Sequence, residues 1–592
     1  MIHRAFRLPV PALFLCLAAA LHAADDYKLG PDSQRQPGVP QGKVTQHSWN
    51  HSKIFPGTHR DYWVYVPAQY KPDKPACVIV VQDGGGRVRD KGAWRMPIVF
   101  DNLIHRKEMP VSIGIFVNPG VVPAANENAQ PRFNRSFEYD GMGDNYARFL
   151  LEEIIPAVAK DHNLKTDGNS RMLIGSSSGG IAAFTAAWER PQEFSRVYCT
   201  VGTFVSLRGG NNYPWMIRKF EPKPIRVFLQ DGSNDNNLYC GSWWVANQDM
   251  LASFQFAGYD VNHAWGDGGH NAKHGASILP KALRWLWRDY PKPIAKPVAK
   301  GDRALDVYLE GEEWELVTRG YKFTEGPAVD DEGNLFFTDI PNNKIHKVGK
   351  DGKAGEFARN TGGANGLHFG PDGRLYACAN RKREIVAYDM KGKAETVAEK
   401  VSSNDLVVTH EGHIYFTDPS NKRVWFLEKD SKASRKGKAK FREPKVVDRG
   451  IEKPNGVMLS PDQTLLSVSD TEGRFGYSFA IRKDGTLADK QKYHILHVPI
   501  DAPNSGADGM AMDDQGRLYV TTRFGIQVCD QLGRVHGVIA KPQDAWLSNV
   551  AFGGPERNIL YATCGDAVFK RRLNARGVVA CEAPVKPPKP RL

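Results

Sequence analysis

A short β-rich motif recurs six times in the second half of the chain, and this repeat limits the possible folds more than any other feature. The six runs are rich in Leu, Tyr, Phe and Thr, most follow a Gly or Asp turn, and they begin at positions 335, 375, 414, 465, 518 and 560. Their spacings of 40, 39, 51, 53 and 42 residues are typical of propeller blades. A β-sandwich is the competing all-β fold, but it gives no reason for a sixfold repeat. We therefore predict a six-bladed β-propeller over residues 306–580, with an extended tail at 581–592.

The first half of the chain has a different pattern, in which apolar runs alternate with stretches of helical periodicity. Apolar residues recur at helical spacing over 146–158, and the apolar runs cover residues 77–82, 111–117, 172–174 and 225–230. Strands that are apolar on both faces are typical of a mostly parallel sheet covered by helices. We predict such an α/β domain over residues 45–290.

A stretch rich in Pro and Lys separates the two patterns. It contains Pro291, Pro293 and Pro297. Proline fixes φ and lacks an N–H donor, so this stretch cannot continue a helix or pair as a central strand. We predict a linker at residues 291–305. A chain of 592 residues is too long for one hydrophobic core, which agrees with a multidomain architecture.

The N-terminus has the features of a secretory signal. Arg4 and Arg7 precede an apolar run at 8–20, and Ala23 provides a small residue for cleavage. The run is too short to span a bilayer, and no later segment is apolar enough to do so. Cys16 raises the alternative of a lipid anchor, which the bulky residues before it disfavour. We predict removal of residues 1–23 and a periplasmic or secreted protein.

Charge and cysteine content bear on the possible partners. The net charge of +13 indicates a lysine-rich solvated surface, with attraction to acidic polysaccharide as the alternative. No nucleic-acid-binding module is recognisable, so we expect no nucleic-acid partner. Seven cysteines remain after signal removal and none forms a CxxC pair, which disfavours a zinc knuckle or redox motif. One or two disulfides are allowed but not required. The oligomeric state stays open.

A GSSSG motif at residues 175–179 follows one of the apolar runs and precedes a helical stretch. This strand–turn–helix setting is where a serine nucleophile is held in a sharp turn. Only Ser177 has Gly both two residues before and two residues after it, and larger neighbours would collide with adjacent backbone there. We predict that Ser177 is a nucleophile.

The acid and the histidine of a catalytic triad must follow the serine in that order. Asp235 lies just beyond the apolar run that ends at residue 230, and His270 follows two glycines. We predict Asp235 as the acid and His270 as the base. Asp231 is the alternative acid, and His263 and His274 are alternative bases that lack the adjacent glycines.

An oxyanion hole needs two N–H groups directed at the developing negative charge. The N–H of Ser178, next to the nucleophile, is the first candidate. The second is the N–H of Gly84, in the glycine-rich sequence that follows the run at 77–82. The alternative is that these glycines form only a turn.

These residues resemble the esterase D and enterochelin-esterase group of α/β-hydrolases, which is similar to feruloyl and acetylxylan esterases. The resemblance implies ester hydrolysis by Ser177, Asp235 and His270 without a cofactor, and substrate contacts from Arg135 and Glu138. It leaves siderophores, cinnamoyl sugars and acetylated glycans as possible substrates. The segments that carry it are RDYWVYVPAQY at 60, VVQDGGG at 80, RSFEYDGMGDNYARFLLEEIIP at 135, GSSSGG at 175, QDGSND at 230 and GGH at 268.

A polar residue stands at nearly the same phase in every β repeat. Equivalent positions in propeller blades face the same part of the central channel, so the chain directs two carboxylates and four amides at one small volume. Oxygen ligands without His or Cys favour a hard cation such as Ca²⁺ or Mg²⁺, with Zn²⁺ as a further alternative. The alternative is that these residues are only turn signals. These polar residues, which stand ten or eleven positions before the start of each run, are Glu325, Asn365, Asn404, Asn455, Asp508 and Asn549.

Residues 315–575 resemble the gluconolactonase, senescence marker and luciferin-regenerating family. The resemblance rests on FTEGPAVDDEGNLFFTD, GGANGLHFGPDGRLYACAN, SSNDLVVTHEGHIYFTDP, KPNGVMLSPD and ADGMAMDDQGRLYV. It implies a divalent cation held by Glu325, Asn455 and Asp508 with Asn404 beside them, and substrate contacts from Asn365 and Asn404. It further implies a polarised lactone carbonyl, with Asp508 orienting or deprotonating the attacking water.

One departure from that family concerns substrate binding. In some members, an arginine that contacts the substrate stands just ahead of the Asn-Asp pair. Ser402 and Ser403 occupy that stretch here. The resemblance therefore implies the metal site more directly than it implies gluconolactone as the substrate.

Three hypotheses follow from the two sites. The first is two active enzymes in one chain, an esterase and a lactonase, acting on small-molecule esters and lactones or on glycan fragments. The second makes only the esterase catalytic, with the propeller a metal-stabilised carbohydrate-binding module. The third is a scaffold with a decayed triad, which the intact order Ser177, Asp235, His270 disfavours. Lactonase as the main activity is a variant of the first.

Overall fold

The computed structural model describes residues 26–297, 306–430 and 440–590. The described residues divide into two compact units: the first unit comprises residues 26–217 and 222–297, and the second unit comprises residues 218–221, 306–430 and 440–590. The predicted signal sequence with Cys16 and residues 298–305 of the predicted linker lie outside the described residues.

An eight-stranded sheet forms the centre of the first unit, in the order β1-β2-β4-β3-β7-β8-β9-β12. From β4 to β12 all neighbours are parallel, whereas β2 runs antiparallel to both β1 and β4. Two short pairs, β5-β6 and β10-β11, stand apart from it. The strands are β1 (Lys43–Trp49), β2 (Arg60–Val66), β3 (Cys77–Gln82), β4 (Ser112–Val117), β5 (Val121–Val122), β6 (Arg132–Phe133), β7 (Arg171–Ser176), β8 (Arg196–Thr200), β9 (Arg226–Gly232), β10 (Asn237–Leu238), β11 (Gly241–Ser242) and β12 (Asp260–Gly266).

Helices cover the sheet. Residues of α1 and α9 share one buried apolar cluster with β3, β7, β8 and β9, and α5 packs on β3, β7 and β8. A π-helical stretch, Phe149–Ile154, joins α3 to α4, so that the predicted helix over 146–158 contains three segments. The helices are α1 (Met96–His105), α2 (Arg135–Tyr139), α3 (Asn145–Arg148), α4 (Ile155–Ala159), α5 (Ser178–Glu189), α6 (Tyr213–Lys219), α7 (Trp243–Phe256), α8 (Lys273–Ser277) and α9 (Leu279–Trp287).

Burial explains why the apolar runs form the central strands. Every residue of β3 and β4 is buried, as expected for a parallel sheet covered on both faces. The predicted α/β class is confirmed. The short β8 lacks a comparable apolar run, and sequence reasoning missed it.

The first unit includes residues ahead of the predicted start at 45. Asp101 on α1 is buried and accepts hydrogen bonds from Arg35, from the N–H of Gly42 and from the hydroxyl of Tyr65. Burial of this carboxylate requires those donors, which fixes the earlier segment to the helix.

The second unit is a six-bladed β-propeller, as predicted, with four antiparallel strands in each sheet. Blades one to five are continuous in sequence, being β14–β17, β18–β21, β22–β25, β26–β29 and β30–β33, and blade six has the order β13-β36-β35-β34. The strands are β13 (Glu315–Arg319), β14 (Thr324–Val329), β15 (Leu335–Asp339), β16 (Lys344–Val348), β17 (Ala354–Arg359), β18 (Ala364–Phe369), β19 (Leu375–Ala379), β20 (Glu384–Tyr388), β21 (Ala394–Glu399), β22 (Leu406–Val408), β23 (Ile414–Asp418), β24 (Arg423–Leu427), β25 (Lys445–Arg449), β26 (Pro454–Leu459), β27 (Leu465–Asp470), β28 (Phe475–Ile481), β29 (Leu487–Ile495), β30 (Met510–Met512), β31 (Leu518–Thr522), β32 (Gly525–Cys529), β33 (Val535–Ile539), β34 (Leu547–Gly553), β35 (Ile559–Cys564) and β36 (Ala567–Arg572).

The six repeated runs are the second strands of the six blades. The C-terminal segment after β36 lies along the propeller: Glu582 pairs with Arg557, and the N–H of Val585 donates to the Pro461 carbonyl at 2.8 Å. All seven cysteines in the described part of the chain are unpaired. No helix within the described ranges is long and apolar enough to cross a membrane.

Candidate active sites

The turn between β7 and α5 holds Ser177 in a strained conformation. Its φ of 58° and ψ of −126° lie outside the regions that most residues adopt. A Cβ on Gly175 would lie 1.8 Å from the carbonyl oxygen of Gly179, so the chain can cross itself here only with glycine. The GSSSG sequence therefore forms the sharp turn that a nucleophilic serine requires.

Ser177, His270 and Asp235 form a connected hydrogen-bonded chain. His270 Nε2 lies 2.8 Å from Ser177 Oγ, and His270 Nδ1 lies 2.5 Å from Asp235 Oδ1. The Asp235 side chain is fully buried and the His270 side chain is 24% exposed. An acid that is shielded from water and bonded to Nδ1 fixes the imidazole tautomer that can accept the serine proton.

The structure places the alternative residues elsewhere. Buried His274 stacks on Tyr27, with ring centroids 4.1 Å apart, and its Nδ1 lies 3.2 Å from Gln230 Nε2. His263 stands at the rim of the sheet against Trp265. Asp231 is fully buried next to Asp235 and accepts a hydrogen bond from the N–H of Gly232. Among these residues, only His270 contacts Ser177.

The predicted oxyanion donors lie at the start of two turns. Ser178 is the first residue of α5 and Gly84 is the first residue of the 3-10 turn Gly84–Gly86, so neither N–H is used inside its own turn. A Cβ on Gly84 would lie 2.3 Å from the Phe116 carbonyl carbon on β4. The glycine therefore allows this turn to pack directly against the sheet beside the nucleophile.

Two residues that sequence reasoning missed complete the surroundings of the triad. Thr203 Oγ1 lies 3.2 Å from Ser177 Oγ and accepts a hydrogen bond from Trp243 Nε1 at 3.2 Å. The Trp243 indole also meets the His270 ring edge to face, with centroids 5.6 Å apart. Neither residue belongs to a recognisable motif, so no sequence signal identifies them.

The structure places the two residues predicted to contact the ester in different surroundings. Arg135 forms a bidentate ion pair with Asp83, with both N–O distances 2.9 Å, and its Nη2 lies 3.5 Å from the Ser176 carbonyl. Arg135 thus lies beside the nucleophile turn with its guanidinium engaged by Asp83. The prediction for Glu138 is wrong, because its side chain is fully buried in an ion pair with Arg60 at 2.6 Å.

In the propeller, the six residues of the predicted polar ring occur at the start of the innermost strands. In blades one, two, four and six, the pairing between the first and second strands shifts register beside the ring residue. In blades three and five, the innermost strand begins only after the ring residue. Such irregularities redirect side chains away from the sheet. Glu325, Asn455, Asp508 and Asn549 are buried, and Asn365 and Asn404 are half-buried.

The glycine that follows a ring residue allows neighbouring blades to approach closely. A Cβ on Gly456 would lie 2.3 Å from the Asp508 carbonyl oxygen, and one on Gly326 would lie 2.2 Å from the Asn365 carbonyl oxygen. Gly366 and Gly509 also face the next blade closely, against the side chains of Asp405 and Asn549. The Asn-Gly and Asp-Gly pairs are therefore contact points between blades, which argues against their being simple turn signals.

Asp405 joins this ring, although sequence reasoning passed over it. Asn549 Nδ2 donates to Glu325 Oε2 at 3.0 Å and lies 3.3 Å from Asp405 Oδ2, so one amide connects the two acids. Asn404, the residue at the repeat phase, accepts instead from Asn365 Nδ2. The sequence feature that could have identified Asp405 is an acid directly after the ring position, just before a shortened innermost strand.

Burial and mutual repulsion disfavour ionisation of the three carboxyl groups. Burial raises the pKa of Glu325 to about 7. Burial and the neighbouring Glu325 raise the pKa of Asp405 to about 8 and that of Asp508 well above its ordinary value. Trp546 Nε1 donates to Asp508 Oδ2 at 2.7 Å. A bound divalent cation would relieve this repulsion, and every donor in the ring is an oxygen suited to a hard cation.

No group of three or more His, Cys, Asp or Glu side chains in the described ranges is arranged to hold a metal ion. The predicted ligand set has a different composition, because it combines the carboxylates of Glu325 and Asp508 with the amides of Asn404 and Asn455. Its donor chemistry fits Ca²⁺ or Mg²⁺. The ligand set stays a prediction.

Both halves of the chain match known protein families. Residues 53–288 match the family model described as "Putative esterase", and residues 323–566 match the SMP-30/Gluconolactonase/LRE-like region. A gluconolactonase of Zymomonas mobilis is 27% identical over 47% of this chain and 85% of its own length.

Two solved structures illustrate the similarity in each half. A gluconolactonase from Xanthomonas campestris is 25% identical over 46% of this chain and 92% of its own chain, with a TM-score of 0.40. The enterobactin esterase of Shigella flexneri is 19% identical over 43% of this chain and 62% of its own chain, with a TM-score of 0.33.

The α/β fold with its serine triad, together with the family match, defines a carboxylic ester hydrolase. Residues 53–288 are thus similar to the esterase family, and residues 323–566 are similar to the SMP-30/gluconolactonase/LRE-like family. Both resemblances expected from the sequence are confirmed.

Proposed function

We propose that this protein is an exported hydrolase that combines serine-esterase cleavage of carboxylic esters with metal-dependent hydrolysis of sugar lactones. The Ser177–His270–Asp235 chain, with its 2.8 Å and 2.5 Å contacts, carries the esterase part of the proposal. The buried ring around Glu325 and Asp508 supports the lactonase part.

Ester hydrolysis follows from the triad geometry. Ser177 Oγ attacks the acyl carbonyl while His270 Nε2 takes its proton, and Asp235 stabilises the resulting imidazolium. The N–H groups of Ser178 and Gly84 stabilise the oxyanion. His270 then protonates the departing alcohol, and water cleaves the acyl-enzyme by the same steps in reverse.

In the propeller, Glu325, Asn455, Asp508 and Asn404 would hold the divalent cation, Ca²⁺ before Mg²⁺ or Zn²⁺. When bound, it would polarise the lactone carbonyl and the attacking water. Trp546 Nε1 donates to Asp508 Oδ2 and would hold this carboxylate in place, and Asp508 would orient or deprotonate the attacking water. Asn365 and Asn404, which bond to each other, would orient the sugar hydroxyls.

The substrate classes are inferred from relatives. The Zymomonas mobilis relative is a gluconolactonase, and a 24% identical relative from Haloferax volcanii is a pentonolactonase. A small sugar lactone is therefore our proposal for the propeller, and an ester linked to a carbohydrate or a phenolic acid for the triad. The second candidate is an esterase whose propeller binds carbohydrate without catalysis, and the ring of oxygen donors is compatible with that role too.

Separate substitutions test the two activities in the full-length protein. Ser177→Ala should abolish hydrolysis of aryl esters and leave hydrolysis of sugar lactones intact, whereas Asp508→Ala should do the reverse. Each variant is the control for the other. Lactone hydrolysis that is undetectable in wild type at saturating Ca²⁺ would favour the carbohydrate-binding alternative, and loss of both activities in Ser177→Ala would contradict independent sites.

Export is proposed from the N-terminal sequence. The mature protein recovered from a bacterial periplasm or culture medium should lack residues 1–23, which N-terminal sequencing would show. Recovery of uncleaved protein from the cytoplasm alone would contradict export.

A further inference from the structure

A second carboxyl group lies beside the triad aspartate, and the reaction described above leaves it unused. Asp231 is on β9, and Asp235 follows it in a tight turn closed by a hydrogen bond from the Asp235 N–H to the Gly232 carbonyl at 3.0 Å. Asp231 is 0% exposed, and Asp235 is 9% exposed as a whole residue with a fully buried side chain. Two acids are therefore enclosed together, next to the catalytic histidine.

Each of the two acids has one oxygen that the protein satisfies and one that it does not. Asp231 Oδ1 accepts from the Gly232 N–H at 2.7 Å, and Asp235 Oδ1 is bonded to His270 and to the Asn236 N–H. The Oδ2 atoms of both residues are buried without a hydrogen-bond partner. Two ionised carboxylates in this arrangement would repel and leave both atoms unsatisfied. The two side chains lie within hydrogen-bonding reach of each other, so one shared proton would satisfy both oxygens.

Among the described residues, the groups around Asp231 provide no positive charge that would favour its ionisation. Asp235 and the Cys199 thiol on β8 are the titratable groups that face it, α7 contributes the neutral amide of Asn247, and His270 acts through Asp235. Burial raises the pKa of the Cys199 thiol, so it stays neutral. Burial, followed by the hydrogen bond to Asp235, raises the pKa of Asp231 to about 9. Burial opposes ionisation of Asp235, but hydrogen bonds from His270 and Asp231 outweigh it and lower the Asp235 pKa.

We propose that Asp231 is a positioning residue of the esterase: it stays protonated in the working enzyme and donates its O–H to Asp235 Oδ2, which holds the triad carboxylate ionised and turned toward His270. This inference rests on the esterase role of the triad. It assigns the two acids opposite protonation states, although they are only four residues apart.

The proposal has a consequence for the pH dependence of catalysis. Asp231 loses its proton as the pH rises through about 9. Two adjacent carboxylates then repel, the hydrogen bond to Asp235 Oδ2 is lost, and His270 is no longer held in line with Ser177. Ester hydrolysis by wild type should therefore decline above this pH, after subtraction of spontaneous hydrolysis.

Two substitutions separate the hydrogen bond from the charge. Asp231→Asn retains an N–H donor toward Asp235 but cannot ionise, so kcat for an aryl acetate at pH 7.5 should stay within about threefold of wild type and the alkaline decline should disappear. Asp231→Ala removes the donor and leaves Asp235 Oδ2 unsatisfied, so kcat should fall by about tenfold or more with KM little changed. Equal losses in the two variants, or an alkaline decline that persists in Asp231→Asn, would overturn the proposal.

Thermal unfolding provides a readout that does not depend on turnover. In wild type the folded state holds the Asp231 proton at pH values where the unfolded chain has released it, so stability falls as the pH rises from about 4 to about 9. Asp231→Asn lacks this loss, and its Tm relative to wild type should therefore rise over the same range. A Tm difference that falls with pH would show that Asp231 is ionised in the fold, which contradicts the proposal.

Labelling of Ser177 with a fluorophosphonate probe separates failure of this inference from failure of the esterase assignment. Wild type and Asp231→Asn should be labelled at Ser177, and Ser177→Ala should not. A wild type that neither reacts with the probe nor cleaves aryl esters would refute the esterase assignment, and the pH dependence of Tm would still decide the protonation of Asp231.

Discussion

Asp235 fixes the tautomer of the catalytic imidazole, and a substitution that changes a single atom of its side chain tests this role. In Asp235→Asn, the amide would bond to His270 Nδ1 and favour the tautomer that cannot accept the Ser177 proton. We expect kcat for aryl esters to fall by about 10⁴, the size of the corresponding effect in serine proteases. Steady-state kinetics measure this. Asp267→Asn, on the same side of the sheet but bonded to Tyr27, is the matched control and should be near wild type.

At the residue scale, sequence order and glycine spacing identified the triad candidates, because the turn around Ser177 and the loop before His270 need small neighbours. The same reasoning could not identify Thr203 or Trp243, which reach the site through tertiary packing. It also misplaced Glu138, since a motif does not show whether a carboxylate faces substrate or a buried arginine. Asp405 was missed because the repeat phase selected Asn404 beside it.

At the scale of strands and blades, the glycines after the ring residues are expected to be critical. Gly456→Ala would place a Cβ 2.3 Å from the Asp508 carbonyl oxygen, so blades four and five would have to separate. We expect the propeller to lose about 2 kcal/mol or more of unfolding free energy, within the range for overpacking. Urea unfolding measures this. Gly355→Ala on β17, where a Cβ meets open space, is the control and should change stability by less than about 1 kcal/mol.

A buried histidine on the outer strand of blade four should make stability depend on pH. Burial lowers the pKa of His494 to about 4, below the ordinary value of 6.5. Between these values the unfolded chain binds a proton that the fold excludes, so the His494 contribution is fully present above pH 6.5 and is lost as the pH falls toward 4. The loss is on the order of 3 kcal/mol.

Comparing wild type with His494→Gln isolates the contribution of His494, because the contributions of the other titrating groups cancel in the stability difference between the two proteins. The stability of His494→Gln relative to wild type should rise as the pH falls from 6.5 to 4, measured by urea unfolding at each pH. A stability difference for His494→Gln that stays constant with pH would contradict the burial argument.

Sequence periodicity predicted the second strand of each blade, because most of those strands begin with large apolar residues, repeat a similar β-rich motif and follow recognisable turns. The outer strands β17, β21 and β25 were not predictable in the same way, since their alternating or mostly exposed residues resemble loops. The pairing of β13 with β36 was also beyond reach, because it joins residues about 250 positions apart.

At the scale of the whole molecule, a cation bound between blades should stabilise one transition and leave the other unchanged. A ligand that binds only the folded state adds about 2.7 kcal/mol at a hundredfold excess over its Kd. Chelation with EDTA should therefore lower the Tm of the propeller transition in calorimetry of the full-length protein, and the esterase transition should not move. Asp508→Ala should reproduce the shift without EDTA.

Calorimetry with EDTA and elemental analysis can also contradict the predicted metal site. If EDTA moves neither transition and elemental analysis finds no metal in the purified protein, the metal-dependent lactonase proposal fails. Asn549→Ala, outside the predicted ligand set, should shift the propeller Tm much less than Asp508→Ala. An equal shift in both variants would show that Asn549 belongs to the site.

Blade six takes its outermost strand, β13, from the beginning of the second unit and its other three strands from the end. Among the propeller strands, β13 is synthesised first, yet its pairing partner β36 is complete only at Arg572. For as long as the intervening residues take to be made, β13 has no partner and the first blade has no neighbour to close the ring. Unpaired strand edges favour aggregation. The edges of the nascent propeller are therefore expected to stay unpaired until β36 has been translated, and truncation before β36 should yield insoluble protein rather than a smaller ring.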